Sequence, residues 1–108
     1  MFLYNYTQYL YFPSIINPIM VLEAYEEEVL SSMYDKRIIA MGYTSIQKIA
    51  SKIGWSDIAK KHKVKKSFER TIRHLASRGY VDLHGKSGNV ASLSKLGVAY
   101  VIGKLQRS

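Results

Sequence analysis

No cysteine occurs among the 108 residues. A disulfide framework and a thiolate zinc site are therefore excluded, a small extracellular scaffold has no support, and the expected location is a reducing cytoplasm. Lys and Arg are missing from the first 35 residues, and charge of either sign is missing from the first 22. A secretory signal needs a positive start and an unbroken apolar stretch, and a membrane span needs a longer one. Here the apolar residues are interrupted by Asn5, Thr7, Gln8, Pro13, Ser14, Asn17 and Pro18, so neither is expected and no membrane partner is inferred. What the segment has instead is aromatic: Phe2, Tyr4, Tyr6, Tyr9, Tyr11 and Phe12. Such side chains bury large areas and are enriched at interfaces, so residues 1–17 read as an arm that packs across a dimer or over the domain's own core.

The cations missing at the start are concentrated later. Residues 1–35 hold five carboxylates (Glu23, Glu26, Glu27, Glu28 and Asp35) and no base. Residues 36–108 hold all 16 basic residues against Asp57, Glu69 and Asp82, so the net charge of +8 divides into a region of −5 and one of +13. A dense basic block suits a polyanion, because affinity for nucleic acid comes largely from releasing counterions condensed on phosphates. The length allows one domain with a modest core, and a protomer this small gains from pairing with a copy of itself, so a homodimer is expected.

Residues 67–78 (SFERTIRHLASR) carry the clearest periodicity. At about 100° per residue, Phe68, Ile72 and Leu75 share one face while Lys66, Arg70, Arg73 and Ser77 lie opposite, so the segment predicts a helix anchored by hydrocarbon and lined by cations. Such a helix fits a DNA major groove. Gly79 ends it, and two short alternating runs, 81–83 and 90–93, flank the tip His84-Gly85-Lys86-Ser87-Gly88-Asn89, which predicts a β-hairpin. Upstream, Asn17-Pro18 is a helix start, and Ile19, Leu22, Tyr25 and Val29 recur at helical steps with Glu23 and Glu27 on the far side, giving a first helix within 18–41. Residues 44–53 predict a second helix, with Thr44 and Gln47 as a capping pair, Ile46, Ile49, Ala50 and Ile53 on one face, and Gly54 as the stop. Ser56 starts a short segment running into Lys60, Lys61, His62 and Lys63, and no Gly or Pro separates it from the Ser67 helix, so one bent helix and two helices both stand. Ser94 caps a last helix within 94–106 whose Leu96, Val98, Ala99, Tyr100, Val101, Ile102 and Leu105 cover nearly its whole circumference. A helix apolar all round is buried on more than one side, so Tyr100, Val101 and Leu105 are assigned to a dimer interface together with Tyr4, Tyr6, Tyr9 and Tyr11.

The order of elements, the stretch Arg73-His74-Leu75-Ala76-Ser77-Arg78-Gly79-Tyr80-Val81 and the run Leu93-Ser94-Lys95-Leu96-Gly97 together resemble the winged helix-turn-helix family. The last run is similar to the Leu-Thr-x-x-Gly signature with which many such regulators leave the wing. The resemblance covers residues 44–97 and implies an α+β, mostly α fold with a two-stranded hairpin wing at 81–93, a helix-turn-helix within 44–78 and a C-terminal helix. The family's helix-turn-helix has about three or four residues between its helices, whereas Gly54 and Ser67 enclose twelve here. Either residues 56–63 are an insertion, or they are the first helix of the motif and the 44–53 helix is an additional support. The first frame is similar to PadR-like regulators, with Gly42-Tyr43 matching their Gly-Tyr pair, and to archaeal plasmid partition proteins that bind centromere-like sites.

The resemblance implies a dimeric, sequence-specific double-stranded DNA-binding protein, either a transcriptional regulator or a partition protein with a further partition or regulatory partner. Its recognition helix is 66–78. Carried over residue by residue, Lys66, Ser67, Arg70, Arg73 and Ser77 face DNA, and Lys86 and Asn89 sit on the wing. Arg70 and Arg73 suit guanine O6 and N7, whereas Lys60, Lys61, Lys63 and Lys65 suit phosphates. Glu69 either orients an arginine, accepts from cytosine N4, or is a helix charge pairing with Arg73 at i+4.

Residues with other chemistry are read as structural. His62, His74 and His84 lack the i, i+4 spacing of a helical metal pair. The carboxylates Glu23, Glu26, Glu27 and Glu28 read as an exposed helix surface with no neighbouring nucleophile. Gly85-Lys86-Ser87-Gly88 lacks P-loop spacing and sits between strands. No enzyme, metal or cofactor is expected. The alternative role is a winged-helix module for protein-protein contact without DNA readout.

Overall fold

The computed structural model describes residues 21–107. They form an α+β fold, mostly helical, with five helices and a three-stranded antiparallel sheet: α1 (Ala24–Asp35), β1 (Thr44–Ser45), α2 (Ile46–Ile53), α3 (Trp55–His62), α4 (Phe68–Ser77), β2 (Val81–His84), β3 (Val90–Leu93) and α5 (Lys95–Arg107). The aromatic arm, with Tyr4, Tyr6, Tyr9 and Tyr11, and the Asn17-Pro18 start lie outside the described residues.

The first helix is shorter than its sequence pattern suggests. Residues 21–23 are not helical, and α1 begins after Glu23, whose backbone N–H donates to Glu26 Oε1 at 2.9 Å. That reciprocal cap satisfies an amide that would otherwise be orphaned at the helix start. It also corrects the reading of the acidic run as a solvated surface, because Glu26 is only 2% exposed. α1 stops at Asp35, and the chain turns so that the Ile38 N–H bonds the Met33 carbonyl at 2.9 Å.

The 44–53 segment divides differently from the periodicity. Thr44 and Ser45 are extended and pair with Ala91 and Val90, so β1 adds a third strand to the expected two-stranded hairpin. The cap of α2 is accordingly Ser45, which accepts from the Lys48 N–H at 3.2 Å, while the Thr44 hydroxyl donates to the Gly42 carbonyl. Gly54 is in the left-handed region at φ 71, where glycine carries no Cβ penalty. It ends α2 and, as its carbonyl accepts from Asp57 and Ile58, also begins α3. α3 and α4 are two separate helices: Lys63 closes the first at φ 57, and Ser67 caps the second. α4 packs on α2 and β2, whereas α3 packs chiefly on α1.

β3 is the central strand, antiparallel to β1 on one edge and β2 on the other. Ile39 bridges Leu93, and the Ser92 hydroxyl donates to the Ala40 carbonyl at 2.9 Å, stitching the α1–β1 connection to the sheet. The core gathers Val29, Leu30 and Met33 of α1, Ile46 and Ile49 of α2, Phe68, Ile72 and Leu75 of α4, Ala91 and Leu93 of β3, and Val101 of α5. Each such large aliphatic side chain contributes about 1.5–3 kcal/mol by leaving water.

The junction of α4, sheet and α5 explains the Leu93-Ser94-Lys95-Leu96-Gly97 run. The Ser94 hydroxyl accepts from the Gly97 N–H at 3.0 Å, capping α5, and donates to the Gly79 carbonyl beyond the end of α4. A Cβ on residue 97 would come within 2.2 Å of the Tyr80 carbonyl oxygen, so the crossing requires glycine. Among the described residues no helix is long and apolar enough to cross a membrane.

Candidate nucleic-acid interface

α4 sorts its side chains as its periodicity predicts. Phe68, Thr71, Ile72 and Leu75 are buried, and Glu69, Arg70, His74 and Ser77 are exposed. The Ser67 hydroxyl accepts from the Arg70 N–H at 3.2 Å, and the Ser67 carbonyl accepts from the Thr71 hydroxyl, so Ser67 holds the start of the helix as well as facing solvent. The Ser77 hydroxyl donates to the His74 carbonyl at 2.7 Å. Lys66 stands exposed just ahead of the helix.

The two arginines of this face differ. Arg70 is exposed, and its guanidinium has no hydrogen-bond or ion-pair partner among the described residues. The Arg73 side chain is 37% exposed, its Nε donating to Glu69 Oε2 at 3.0 Å and its Nη2 to the Ser87 carbonyl at 3.4 Å. Glu69 thus orients Arg73 at i+4, and the helix is tied to the tip of the hairpin. That tip turns through Gly85 and Gly88, both at positive φ, and carries exposed Lys86 and Asn89. The Asn89 carbonyl accepts from the Ile46 N–H at 2.9 Å, linking the end of the tip to the start of α2. Between these elements lies a groove of about 390 Å³ lined by Ser45, Gln47, Ala50, Phe68, Glu69 and Asn89.

The cations at the end of α3 fall into two groups. Lys60, Lys63 and Lys65 are exposed. Lys61 Nζ reaches Glu28 Oε2 at 2.9 Å, and His62 Nε2 lies 2.8 Å from Glu28 Oε1. These partners, the His62 hydrogen bond first and Lys61 next, hold the Glu28 carboxyl below the usual carboxylate range. The other histidines are dispersed: His74 Nε2 lies 3.8 Å from Glu26 Oε2, and His84 packs against Tyr43 with ring centres 3.9 Å apart and planes tilted by 44°. Among the described residues no three acidic or histidine side chains form a metal-holding group.

Lys48 and Lys52 of α2 were not singled out from the sequence, yet both are exposed. Their i, i+4 spacing off the isoleucine stripe is the signal that locates them.

The residues assigned to a dimer interface on α5 also separate. Val101 is 2% exposed and belongs to the protomer's own core, which corrects its assignment. Tyr100 packs edge-on against Tyr80, and its hydroxyl donates to Glu27, to which Lys104 also pairs. Leu105 remains exposed, joined by Leu96 and Ile102. A second groove, of about 580 Å³, runs between α5 and the α1–β1 connection and is lined by Ile39, Met41, Tyr43, Leu93, Val98 and Ile102. No protein-family model, curated protein or solved structure matches this chain.

Proposed function

We propose that this chain is a homodimeric, sequence-specific double-stranded DNA-binding protein of the winged helix-turn-helix, PadR-like type. In this reading α4 enters the major groove and the β2–β3 hairpin lies along the backbone. The observation that carries it is the division of α4: Phe68, Ile72 and Leu75 anchor one side in the core while Arg70 stands exposed, with Lys66 exposed ahead of the helix and Lys86 exposed on the hairpin. An unpaired guanidinium on an exposed helix face is the group suited to bidentate contact with guanine, and the surrounding lysines suit phosphates. The packing of α4 on α2, with α3 set against α1, favours α2 and α4 as the helix pair and α3 as the insertion. Lys60, Lys63 and Lys65 flank the start of α4, and Lys48 and Lys52 extend the basic surface along α2.

Duplex binding measured against salt tests the proposal. Each neutralised phosphate contributes about 0.9 to the log-log slope, so a slope of several units is expected, and a slope near zero rejects the reading. Footprinting then separates the two roles. A regulator protects one or two half-sites at fixed size, whereas a partition protein coating its site extends protection with concentration.

A protein-interaction module without DNA readout is the competing reading, favoured by the apolar groove along α5, where Met41 is 87% exposed. Under it the salt slope is flat and Arg70→Ala changes nothing in duplex binding. Under the proposal that groove belongs to the dimer, and the two copies of α4 are separated by about one DNA turn, roughly 34 Å.

A further inference from the structure

Of the two arginines on α4, only Arg73 spans to another element. Its Nε donates to Glu69 on its own helix, its Nη2 donates to the Ser87 carbonyl at the hairpin tip, and its Nη1 lies where a Cβ on Gly88 would come within 3.1 Å. Gly88 is at φ +67 and leaves that space open. The tip it belongs to has two glycines at positive φ and one internal backbone bond, Gly88 N–H to the Gly85 carbonyl at 3.2 Å. Such a turn has little of its own to fix its orientation. A guanidinium is suited to the task because its N–H groups diverge from a rigid plane, so one edge can hold a carboxylate while another holds a carbonyl. A lysine ammonium offers a charge at the end of a flexible stem and cannot set the same angle.

We propose that Arg73 is a positioning residue that pins the tip of the β2–β3 hairpin to α4, so that helix and hairpin meet a duplex as one rigid unit. The inference rests on the reading of these two elements as a DNA-binding pair. It assigns the arginines separate tasks: Arg70 reads a base, and Arg73 fixes the distance between the groove-reading helix and the backbone-contacting tip. The Nη edge that would grasp guanine is the edge already directed at Ser87.

The tie is measured first in the free protein, by backbone ¹⁵N relaxation at Ser87 and Gly88, since Asn89 is held separately by the Ile46 N–H. In the parent these amides show order parameters near the rigid value of about 0.85, and in Arg73→Ala they fall below about 0.6. Arg73→Lys gives the same fall although the charge is kept, and Arg70→Ala leaves the tip as in the parent. Unchanged order in Arg73→Ala overturns the proposal, whatever the protein binds. The second measurement is affinity for the preferred duplex and its single-base variants. Loss of a preorganised contact costs about tenfold, so Arg73→Ala weakens binding to every duplex by about that factor and preserves their ranking, while Arg70→Ala flattens the ranking. An altered ranking in Arg73→Ala means that Arg73 reads a base, and this also overturns the proposal. If the parent binds no duplex, the reading under Proposed function fails on its own, and the relaxation result still decides whether the tie exists.

Discussion

α4 and α5 share an inner face of hydrocarbon and differ on the outside. α4 buries Phe68, Ile72 and Leu75 and presents Arg70, His74 and Ser77, whereas α5 buries Val101 and presents Leu96, Ala99 and Ile102. A charged outer face is at rest in water or against a polyanion, and an apolar one is at rest only when covered. Under the proposed function the two helices meet two kinds of partner, α4 a duplex and α5 another apolar surface.

The same isoleucine truncation sharpens this contrast most. Ile72→Ala, inside α4, is expected to cost about 2–5 kcal/mol in urea denaturation because Ile72 is fully buried and the surrounding core closes the cavity only in part. Ile102→Ala, outside α5, is expected to stay within about 0.5 kcal/mol at concentrations where the chain is monomeric. Equal losses would erase the distinction between the helices' inner and outer faces. Gly97→Ala tests the inner side of α5 from the opposite direction, since it adds a carbon where the Tyr80 carbonyl stands 2.2 Å away. Overpacking of this kind costs about 1–3 kcal/mol, and a melting temperature equal to the parent's would refute the crossing geometry. Outside α4, Arg70→Ala is expected to leave stability unchanged and to remove about 1–3 kcal/mol of discrimination between the preferred duplex and a variant at one base pair. A titration in which both duplexes weaken equally would make Arg70 a phosphate contact.

The smallest effect concerns α3, where Lys61 and His62, unlike Arg70, already have a protein partner in Glu28. Glu28→Gln should cost about 0.2–1 kcal/mol at neutral pH, the range of an exposed ion pair. The carboxyl of Glu28 is held below its ordinary value by His62 and Lys61, so its stabilising contribution is present above the ordinary carboxylate pKa and disappears as pH falls through the lowered one. Denaturation curves of parent and Glu28→Gln should thus converge in acid. A gap that persists there would mean that the link acts through shape instead of charge.

Local signals carried α4, the hairpin, the Gly54 stop and the Ser94 cap into the sequence, because each is decided within a turn or two of its own residues. Position by position, Phe68, Ile72 and Leu75 are where a 3.6-residue period places them. The start of α1 was hard to read because the cap that forms at Glu23 uses a residue type rarely read as one. β1 was invisible for another reason: Thr44 and Ser45 are extended because Ala91 and Val90 lie beside them, and no local pattern announces a strand of two residues. The candidate site divides along the same line. The exposure of Arg70 follows from periodicity, whereas the engagement of Arg73 with Ser87 depends on a contact across the fold. The inward turn of Glu26 toward His74 is tertiary in the same way.

The central place of β3 has a bearing on how the domain is made. β1 and β2 have no pairing with each other and meet only through residues 90–93. On a translating ribosome every helix from α1 to α4 has left the exit tunnel before the strand that organises them emerges. Until then their apolar faces share no sheet, and the hairpin tip has no second leg. Closure of the sheet is therefore expected late, when four residues arrive to close two edges at once, and until then the faces that pack on it are open to sticking to neighbours.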